Sequence, residues 1–385
     1  MGFYDPAPKP TSPLGFHRVL SPSAGIKVSP LCLGSMNFGT NWESFMGKCE
    51  KPEAFAIMDA FYDNGGNFID TANCYQDNQS EEWIGEWMEA RGNRDQMVIA
   101  TKYTHGTHAH NHTNTPLQSN HVGNSLKSLS LSVASSLSRL RTSYIDILYL
   151  HWWDFTTDIS EIMTGLNHLI AAGKVLYLGV SDTPAWVVVK GNAFARSHGL
   201  RPFSVYQGLW SAGVRDVERE IVPMCRDQGM GVTAFGVLGH GKFKAAAAAA
   251  EKREGSGRAA EMSERDVKVS GVLEGIARRK GCSLHAVALA YTLHKTPYVY
   301  PIIGGRTVDH LTANIEALSV ELATDEMKEI DAAVLFDAGY PHTFLFGEQY
   351  GLDKTASDVW LTALSAHIDS PPHQQPVRAR AQQNT

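Results

Sequence analysis

Residues 68–85 read FIDTANCYQDNQSEEWIG. The apolar pair Phe68-Ile69 is typical of a buried strand, and it leads directly to the carboxylate of Asp70. Tyr75 follows in a polar stretch, and Ser-Glu-Glu then opens a helical pattern. The stretch therefore predicts a strand–loop–helix unit with titratable side chains at the carboxyl end of the strand.

The same alternation of strand and helix extends along most of the chain. Short apolar runs predict eight strands, at 30–36, 67–72, 97–103, 144–152, 175–182, 203–210, 231–237 and 299–305. Helical patterns predict helices at 52–66, 80–93, 124–143, 160–172, 184–198, 216–228, 266–280 and 308–318. We therefore predict an α/β fold, a (β/α)₈ TIM barrel. A doubly wound open sheet is the alternative, and it is weakened because no G-x-G-x-x-G follows a strand.

The chain divides into three predicted parts. Residues 1–16 form a flexible N-terminal arm, residues 17–335 form the barrel, and residues 336–385 form a C-terminal loop and tail that is expected to end in disorder. Residues 17–30 predict an N-terminal β-hairpin, turning at Ser-Ala-Gly, that plugs the bottom of the barrel. Long loops at 104–120 and 240–264 follow strands and therefore belong to the catalytic face.

Composition excludes several classes of protein. The 385 residues carry a formal net charge of −6 and no basic stripe, so we expect no nucleic-acid partner. No apolar run is long enough to span a membrane. Five scattered cysteines without a CxxC motif fit reduced thiols in the cytoplasm. Four histidines of the polar loop 105–112 more often indicate a solvated loop than a ligand set, so we expect no metal. An oligomer remains possible.

Four residues of the early strands carry the predicted chemistry. Asp70 ends strand two, Tyr75 follows it, Lys102 ends strand three and His151 ends strand four. Barrel closure would bring them together at one mouth. A tyrosine donates a proton poorly near neutral pH unless a cation lowers its pKa, which Lys102 could do while Asp70 orients that lysine. His151 could then bind a substrate carbonyl.

These four residues, in this order, resemble the catalytic tetrad of the aldo-keto reductases. FIDTANCY with SEEWIG, RTSYIDILYLHWWDFTT and GKVLYLGVSDTPAWVV are similar to the fungal branch with aryl-alcohol dehydrogenases and norsolorinic acid reductases. The resemblance covers about residues 15–335 and implies a reversible, NADPH-dependent reduction of an aryl aldehyde or aryl ketone. The substrate would then be a small aromatic carbonyl or alcohol, in aryl-alcohol oxidation or in secondary metabolism such as mycotoxin biosynthesis.

The resemblance also implies an NADP site, residue by residue. The implied cofactor residues are Ser35, Ser181, Asp182, Gln207, Phe235, Gly236, Leu238, Gly239, Gly241, Lys242, Gly304, Gly305, Arg306, His310 and Asn314. Asp182 replaces the usual asparagine, and Gly304-Gly305 replaces a Lys-Ser pair. Because of these departures, the preference for NADPH over NADH depends on Arg306. Rim side chains Met36, Trp152, Trp153 and Trp210 are candidates for substrate contact.

Two other functions stay open at this point. Some barrels of this family are NADPH-binding regulatory subunits of ion channels, with slow turnover. Lys102 could instead be the Schiff-base lysine of an aldolase-type barrel. The second alternative leaves Gln207, Phe235 and Arg306 without a shared purpose.

Overall fold

The computed structural model describes residues 4–245, 262–347 and 350–380. Its centre is a closed barrel of eight parallel strands, in the order β10-β3-β4-β5-β6-β7-β8-β9. The strands are β3 (Cys32–Gly34), β4 (Phe68–Asp70), β5 (Val98–Tyr103), β6 (Ile145–Leu150), β7 (Val175–Ser181), β8 (Val205–Leu209), β9 (Gly231–Phe235) and β10 (Val299–Ile303). Each lies within a predicted strand. Closure confirms the predicted TIM barrel and excludes the open sheet.

An antiparallel hairpin, β1 (Arg18–Ser21) and β2 (Ala24–Val28), closes the amino end of the barrel. Its turn falls at 22–23 and not at Ser-Ala-Gly, because Ser21 already pairs with Ala24. Leu20 packs with the side chains that fill the barrel interior. A Cβ added to Gly231 would stand 2.4 Å from the Leu20 carbonyl oxygen, so the hairpin reaches this depth only over glycine.

Helices surround the barrel and bury its outer face. They are α1 (Glu43–Met46), α2 (Lys51–Asp63), α3 (Gln79–Arg91), α4 (Leu126–Arg139), α5 (Ile159–Ala171), α6 (Ala185–Ser197), α7 (Ile221–Gln228), α8 (Glu264–Lys280), α9 (Leu284–Lys295), α10 (Val308–Ile315), α11 (Thr324–Ala332), α12 (His342–Phe346) and α13 (Trp360–Ala363). Their inward faces form the larger hydrophobic core with the outward side chains of the strands. All eight predicted helices are present within a few residues.

The sequence analysis missed the helix α9. Ten of its twelve residues are buried, from Leu284 to His294. A helix that is apolar on every side has no periodic polar face, so the spacing pattern that identifies surface helices is absent. This helix packs between α8 and β10 and completes the helical layer after β9.

The C-terminal segment departs from the expected disorder. Residues 370–380 lie across the amino end of the barrel, where the Gln374 amide donates to the Tyr298 hydroxyl over 3.3 Å. Arg378 forms an ion pair with Glu321 at 3.3 Å. Most of the predicted loop 240–264 lies outside the described residues. Within the described ranges, every helix is too short or too polar to cross a bilayer.

Candidate active site

Parallel strands place the predicted catalytic side chains at one mouth. Asp70 is the last residue of β4, Lys102 lies one residue before the end of β5, and His151 directly follows β6. Tyr75 begins the turn after β4. The register pairs Asp70 with Ala100 and Lys102 with Tyr149, which brings all four predicted residues to the carboxyl end of the barrel.

Lys102 joins these groups by direct contacts. Its Nζ donates to Asp70 Oδ2 at 2.7 Å, to the Thr71 carbonyl oxygen at 2.7 Å and to the Tyr75 hydroxyl at 3.2 Å. The Tyr75 and His151 rings lie edge to face, with centroids 6.1 Å apart. Lys102 is fully buried, so its three donors are matched by three acceptors, as a buried ammonium requires.

A second layer of polar side chains lies next to this cluster. Gln207 Nε2 donates to Asp70 Oδ1 at 2.8 Å, so both oxygens of the carboxylate are held. The hydroxyls of Tyr149 and Thr233 lie 3.0 Å apart, and Gln207 also reaches Thr233 at 3.5 Å. Sequence reasoning missed Thr71, Tyr149 and Thr233, because nothing in their local pattern distinguishes them from other strand residues.

The Tyr75 hydroxyl is a weaker acid in this structure than the sequence analysis predicted. Burial raises the pKa of Tyr75 to about 12, and the positive charge of Lys102 only partly opposes that rise. Lys102 thus acts on the pKa of Tyr75 in the expected direction, and burial opposes it with the larger effect. Tyr75 is therefore protonated at neutral pH and holds a proton that it can give away.

Lys102 is charged, whereas His151 is neutral. Burial lowers the pKa of Lys102, but the Asp70 carboxylate and Tyr75 outweigh it and the net shift is upward, so this lysine stays charged. Burial, with the charges of Lys102 and His105, lowers the pKa of His151 well below its usual range. A neutral imidazole offers one N–H and one lone pair. Its Nδ1 is buried and has no hydrogen-bond partner among the residues that the structure describes.

These groups open onto a cavity of about 570 Å³ at the mouth of the barrel. Its wall includes fifteen of the residues that the sequence analysis singled out: Met36, Asp70, Tyr75, His151, Ser181, Asp182, Gln207, Phe235, Gly236, Leu238, Gly241, Gly304, Gly305, Arg306 and His310. Its remaining described wall residues are Gly34, Asn37, Met46, Val237, His240, His285 and Ile302. One cavity is thus lined by residues at or near the ends of seven of the eight barrel strands, all except β5.

Four predicted cofactor residues lie behind or beside this wall. Ser35 is fully buried, and its hydroxyl lies 2.7 Å from that of Ser80. Lys242 faces Asp266 at 3.8 Å, and Gly239 precedes it in a tight turn. Asn314 Nδ2 reaches the Gly304 carbonyl oxygen at 3.5 Å and so contacts the cavity loop.

The three tryptophans that were candidates for substrate contact do not line this cavity. Trp210 is fully buried and donates through Nε1 to Glu218 at 3.0 Å. Trp153 packs on the core formed by β6, α5 and α6. Trp152 is half-buried, and its carbonyl oxygen accepts from Asn124. Substrate contact at Trp153 and Trp210 does not fit this structure, because the core holds both rings away from the mouth.

Some wall residues had no sequence signal. Met46 belongs to the short helix α1, and His285 belongs to the missed helix α9. Asn37 Nδ2 donates to the Gly305 carbonyl oxygen at 2.6 Å and so joins the first strand to the last. His240 lies inside the predicted segment around Leu238, and that proximity could have identified it.

The wall suits a nicotinamide nucleotide. Ser181, Asp182 and Gln207 supply donors and acceptors at the inner end, as a carboxamide needs. At the outer end, the loop with Arg306 leads into α10, whose N-terminal amides favour an anion. Asp182 has a φ of 40°, which aspartate tolerates better than most residues. Burial raises the pKa of the Asp182 carboxyl to about 6, although Lys102 opposes the rise.

The histidine loop after β5 contains no ligand set. The His108 and His121 rings lie 5.0 Å apart, edge to face. Among the described residues, no three His, Cys, Asp or Glu side chains come together in a way that could hold a metal ion.

A closed (β/α)₈ barrel whose mouth joins an Asp–Lys–Tyr–His cluster to a nucleotide-sized cleft has the architecture of a cofactor-dependent barrel enzyme. The sequence profile of the Aldo/keto reductase family matches residues 30–335, so the chain belongs to that family. The similarity to its relatives extends over more than 90% of each chain. Membership of this family indicates that the protein is an oxidoreductase.

Three relatives show where in the family this chain lies. It is 50% identical to norsolorinic acid reductase A of Aspergillus parasiticus over 374 residues, 96% of this chain and 95% of the relative. It is 53% identical to norsolorinic acid reductase B of Dothistroma septosporum over 360 residues, 92% and 91% of the two chains. It is 48% identical to the NADP(+) aryl-alcohol dehydrogenase of Phanerodontia chrysosporium over 394 residues, 98% and 99% of the two chains.

Proposed function

We propose that the protein reduces the carbonyl group of an aryl aldehyde or aryl ketone to an alcohol, reversibly, with NADPH as the reductant. The observation that carries this proposal is the chain of contacts from Asp70 through Lys102 to Tyr75, which ends at a cavity wall. The similarity to a norsolorinic acid reductase and to an NADP(+) aryl-alcohol dehydrogenase supports an aryl substrate and NADP.

The protein side chains manage the proton. When bound, NADPH supplies the hydride that adds to the carbonyl carbon. Tyr75 gives its phenolic proton to the carbonyl oxygen, so the C=O group becomes a C–H and an O–H. Lys102 stabilises the tyrosinate that remains, and Asp70 with Gln207 holds Lys102 in place. His151, being neutral, can donate one hydrogen bond to the carbonyl oxygen.

The wall of the cavity favours a flat apolar substrate. Met36, Met46 and Phe235 provide thioether and ring surfaces, which pack well against aromatic faces. Arg306 is the residue that we expect to select NADPH over NADH, through the additional phosphate. The five free cysteines are consistent with a reducing compartment such as the cytoplasm.

The test is the oxidation of NADPH and of NADH, followed by nicotinamide absorbance, with three probes: norsolorinic acid, an aryl aldehyde and an aryl alkyl ketone. We expect turnover with NADPH for at least one probe and weak turnover with NADH. Arg306→Ala should raise KM for NADPH and leave KM for NADH nearly unchanged. Tight NADPH binding without turnover of any probe would contradict the proposed activity.

A further inference from the structure

The turn after Tyr75 has an unusual backbone. Gln76, Asp77 and Asn78 follow one another with φ values of 53°, 53° and 84°. Glutamine is rare in this left-handed region, because its side chain gives no local compensation for the steric cost. Gln76 is also fully buried. Strain of this kind persists only where surrounding contacts over-determine it, and it is common at functional sites.

The Gln76 amide connects this turn to the loop that follows β3. Its Nε2 donates to the Met36 carbonyl oxygen at 3.0 Å, and its Oε1 accepts from the Trp42 backbone N–H at 2.8 Å. Asn41 Nδ2 also donates to the Gln76 carbonyl oxygen, at 3.1 Å. A Cβ added to Gly39 would lie 2.4 Å from Gln76 Cβ, so the two segments are in close contact.

The loop held in this way forms part of the cavity wall. Met36, Asn37 and Met46 line the cavity beside Tyr75. The Trp42 ring meets the Tyr75 ring edge to face at 6.3 Å, and Trp42 Nε1 donates to Asp77 at 2.9 Å. Asn37, the chain neighbour of Met36, ties the loop to the Gly305 carbonyl oxygen after the last strand. The wall is therefore held by two attachments, one to the backbone at Gly305 and one to the fully buried Gln76 side chain.

We infer that Gln76 is a positioning residue that sets the distance between the Met36–Met46 wall and the hydroxyl of Tyr75, and thereby selects for wide, multi-ring aromatic carbonyl substrates. The inference rests on the proposed reductase function. A wide substrate contacts both the wall and Tyr75, whereas a single-ring aldehyde can reach Tyr75 without spanning to the wall. Loss of the amide should therefore penalise the wide substrate more strongly.

The test compares Gln76→Gly with wild type. Glycine accepts the left-handed backbone without strain, so this variant removes the amide while sparing the fold. We expect KM for a polycyclic aryl ketone to rise about tenfold, with kcat and KM for benzaldehyde changed by less than about threefold, because a shift near 1 Å is costly only for the substrate that spans the gap. Gln96→Gly, which removes a surface glutamine that accepts from Tyr62, is the matched control.

Hydrogen exchange gives a readout that does not depend on activity. The Trp42 backbone N–H should exchange at least about tenfold faster in Gln76→Gly, while the amides of β5 stay protected. Unchanged exchange at Trp42, or equal losses with both substrates, overturns the inference. A wild-type protein that reduces neither substrate overturns the proposed function instead, whatever the exchange result.

Discussion

Two buried lysines of this barrel have closely similar surroundings. Each is accompanied by one aspartate and one tyrosine: Lys102 with Asp70 and Tyr75, the barrel triad, and Lys295 with Asp331 and Tyr291, the helix triad. The lysine nitrogen lies 2.7 Å from its aspartate in the barrel triad and 3.0 Å in the helix triad. It lies 4.8 and 5.1 Å from the centre of the tyrosine ring. Residue types and these distances do not distinguish the triads, although the tyrosine hydroxyl contacts the lysine in the barrel triad and the aspartate in the helix triad.

The surroundings beyond each triad differ. Asp70 and Tyr75 line the cavity at the mouth of the barrel, so a substrate can reach the tyrosine hydroxyl. The helix triad lies between α9 and α11, where Lys295 also contacts Glu218 at 3.2 Å and Tyr291 donates to Asp331. No helix-triad residue lines a described cavity. A buried Lys–Asp–Tyr set therefore indicates chemistry only where it meets a cavity, and otherwise stabilises packing.

The largest expected difference concerns the two tyrosines. Tyr75→Phe should lower kcat by about 10³-fold, because the proton donor is lost. Tyr291→Phe, the matched change in the helix triad, should leave kcat within about twofold and cost about 1 kcal/mol of stability. The measurement is steady-state NADPH oxidation, with NADPH binding followed by fluorescence quenching.

Equal loss of NADPH binding and turnover in Tyr75→Phe would contradict its role as proton donor. A comparable fall of kcat in Tyr291→Phe would break the distinction between the triads.

Substitution of Lys102 should mainly lower activity, whereas substitution of Lys295 should mainly lower stability. Lys102→Met should lower kcat by about 10²-fold, because no cation then stabilises the tyrosinate. Lys295→Met leaves Glu218 and Asp331 with less compensation and should cost about 3 kcal/mol of unfolding free energy with kcat nearly preserved. Chemical denaturation and initial rates measure the two effects. An active Lys102→Met enzyme would rule out the lysine role proposed above.

A smaller effect, on cofactor binding, is expected from the carboxyl group of Asp182 at the mouth of the barrel. Its raised pKa, about 6, means that it is protonated below that pH and charged above it. The charged form should favour the cationic ring of NADP⁺ over neutral NADPH, by about tenfold in relative Kd. Binding of both cofactors between pH 5 and 8 should show this change, and Asp182→Asn should flatten it. The same pH dependence in the variant would assign the effect to another group.

A separate effect, on stability and not on activity, concerns acid stability near the helix triad. Burial lowers the pKa of His294, the neighbour of Lys295, to about 4. The folded state therefore binds fewer protons than the unfolded state, and stability falls as pH drops from about 6.5 toward 4, by at most about 1.4 kcal/mol per pH unit. His294→Gln should lose this slope in denaturation curves at pH 7 and pH 5. An unchanged slope would show that His294 is not responsible.

Periodic patterns in the sequence were sufficient to predict most of the fold. All eight barrel strands read as apolar runs because both faces are buried, and the amphipathic helices showed their polar faces. The helix α9 was missed because it is apolar on every side and therefore shows no polar face. The predicted position of the hairpin turn was wrong, because the cross-strand pairing of Ser21 with Ala24 decides where the chain reverses.

The candidate site was predictable only in part. Polar residues at strand ends, such as Asp70 and Lys102, were identifiable because the ends of parallel strands share one face. The orientation of Trp153 and Trp210 was not predictable, because an aromatic residue at a strand end can turn toward the core or toward the mouth. Gln76 had no sequence signal, since its importance comes from contacts to residues 36 and 42.

The amino-acid sequence by itself determined the order of strands and helices, and the residue types that stand at the strand ends. These follow from local chemistry: apolar periodicity, glycine in tight turns and charged groups where strands stop. Only the tertiary structure decided which Lys–Asp–Tyr set meets a cavity and which wall stands opposite Tyr75. Barrel closure brings together residues far apart in the chain, and no local pattern records which side chains then face one another.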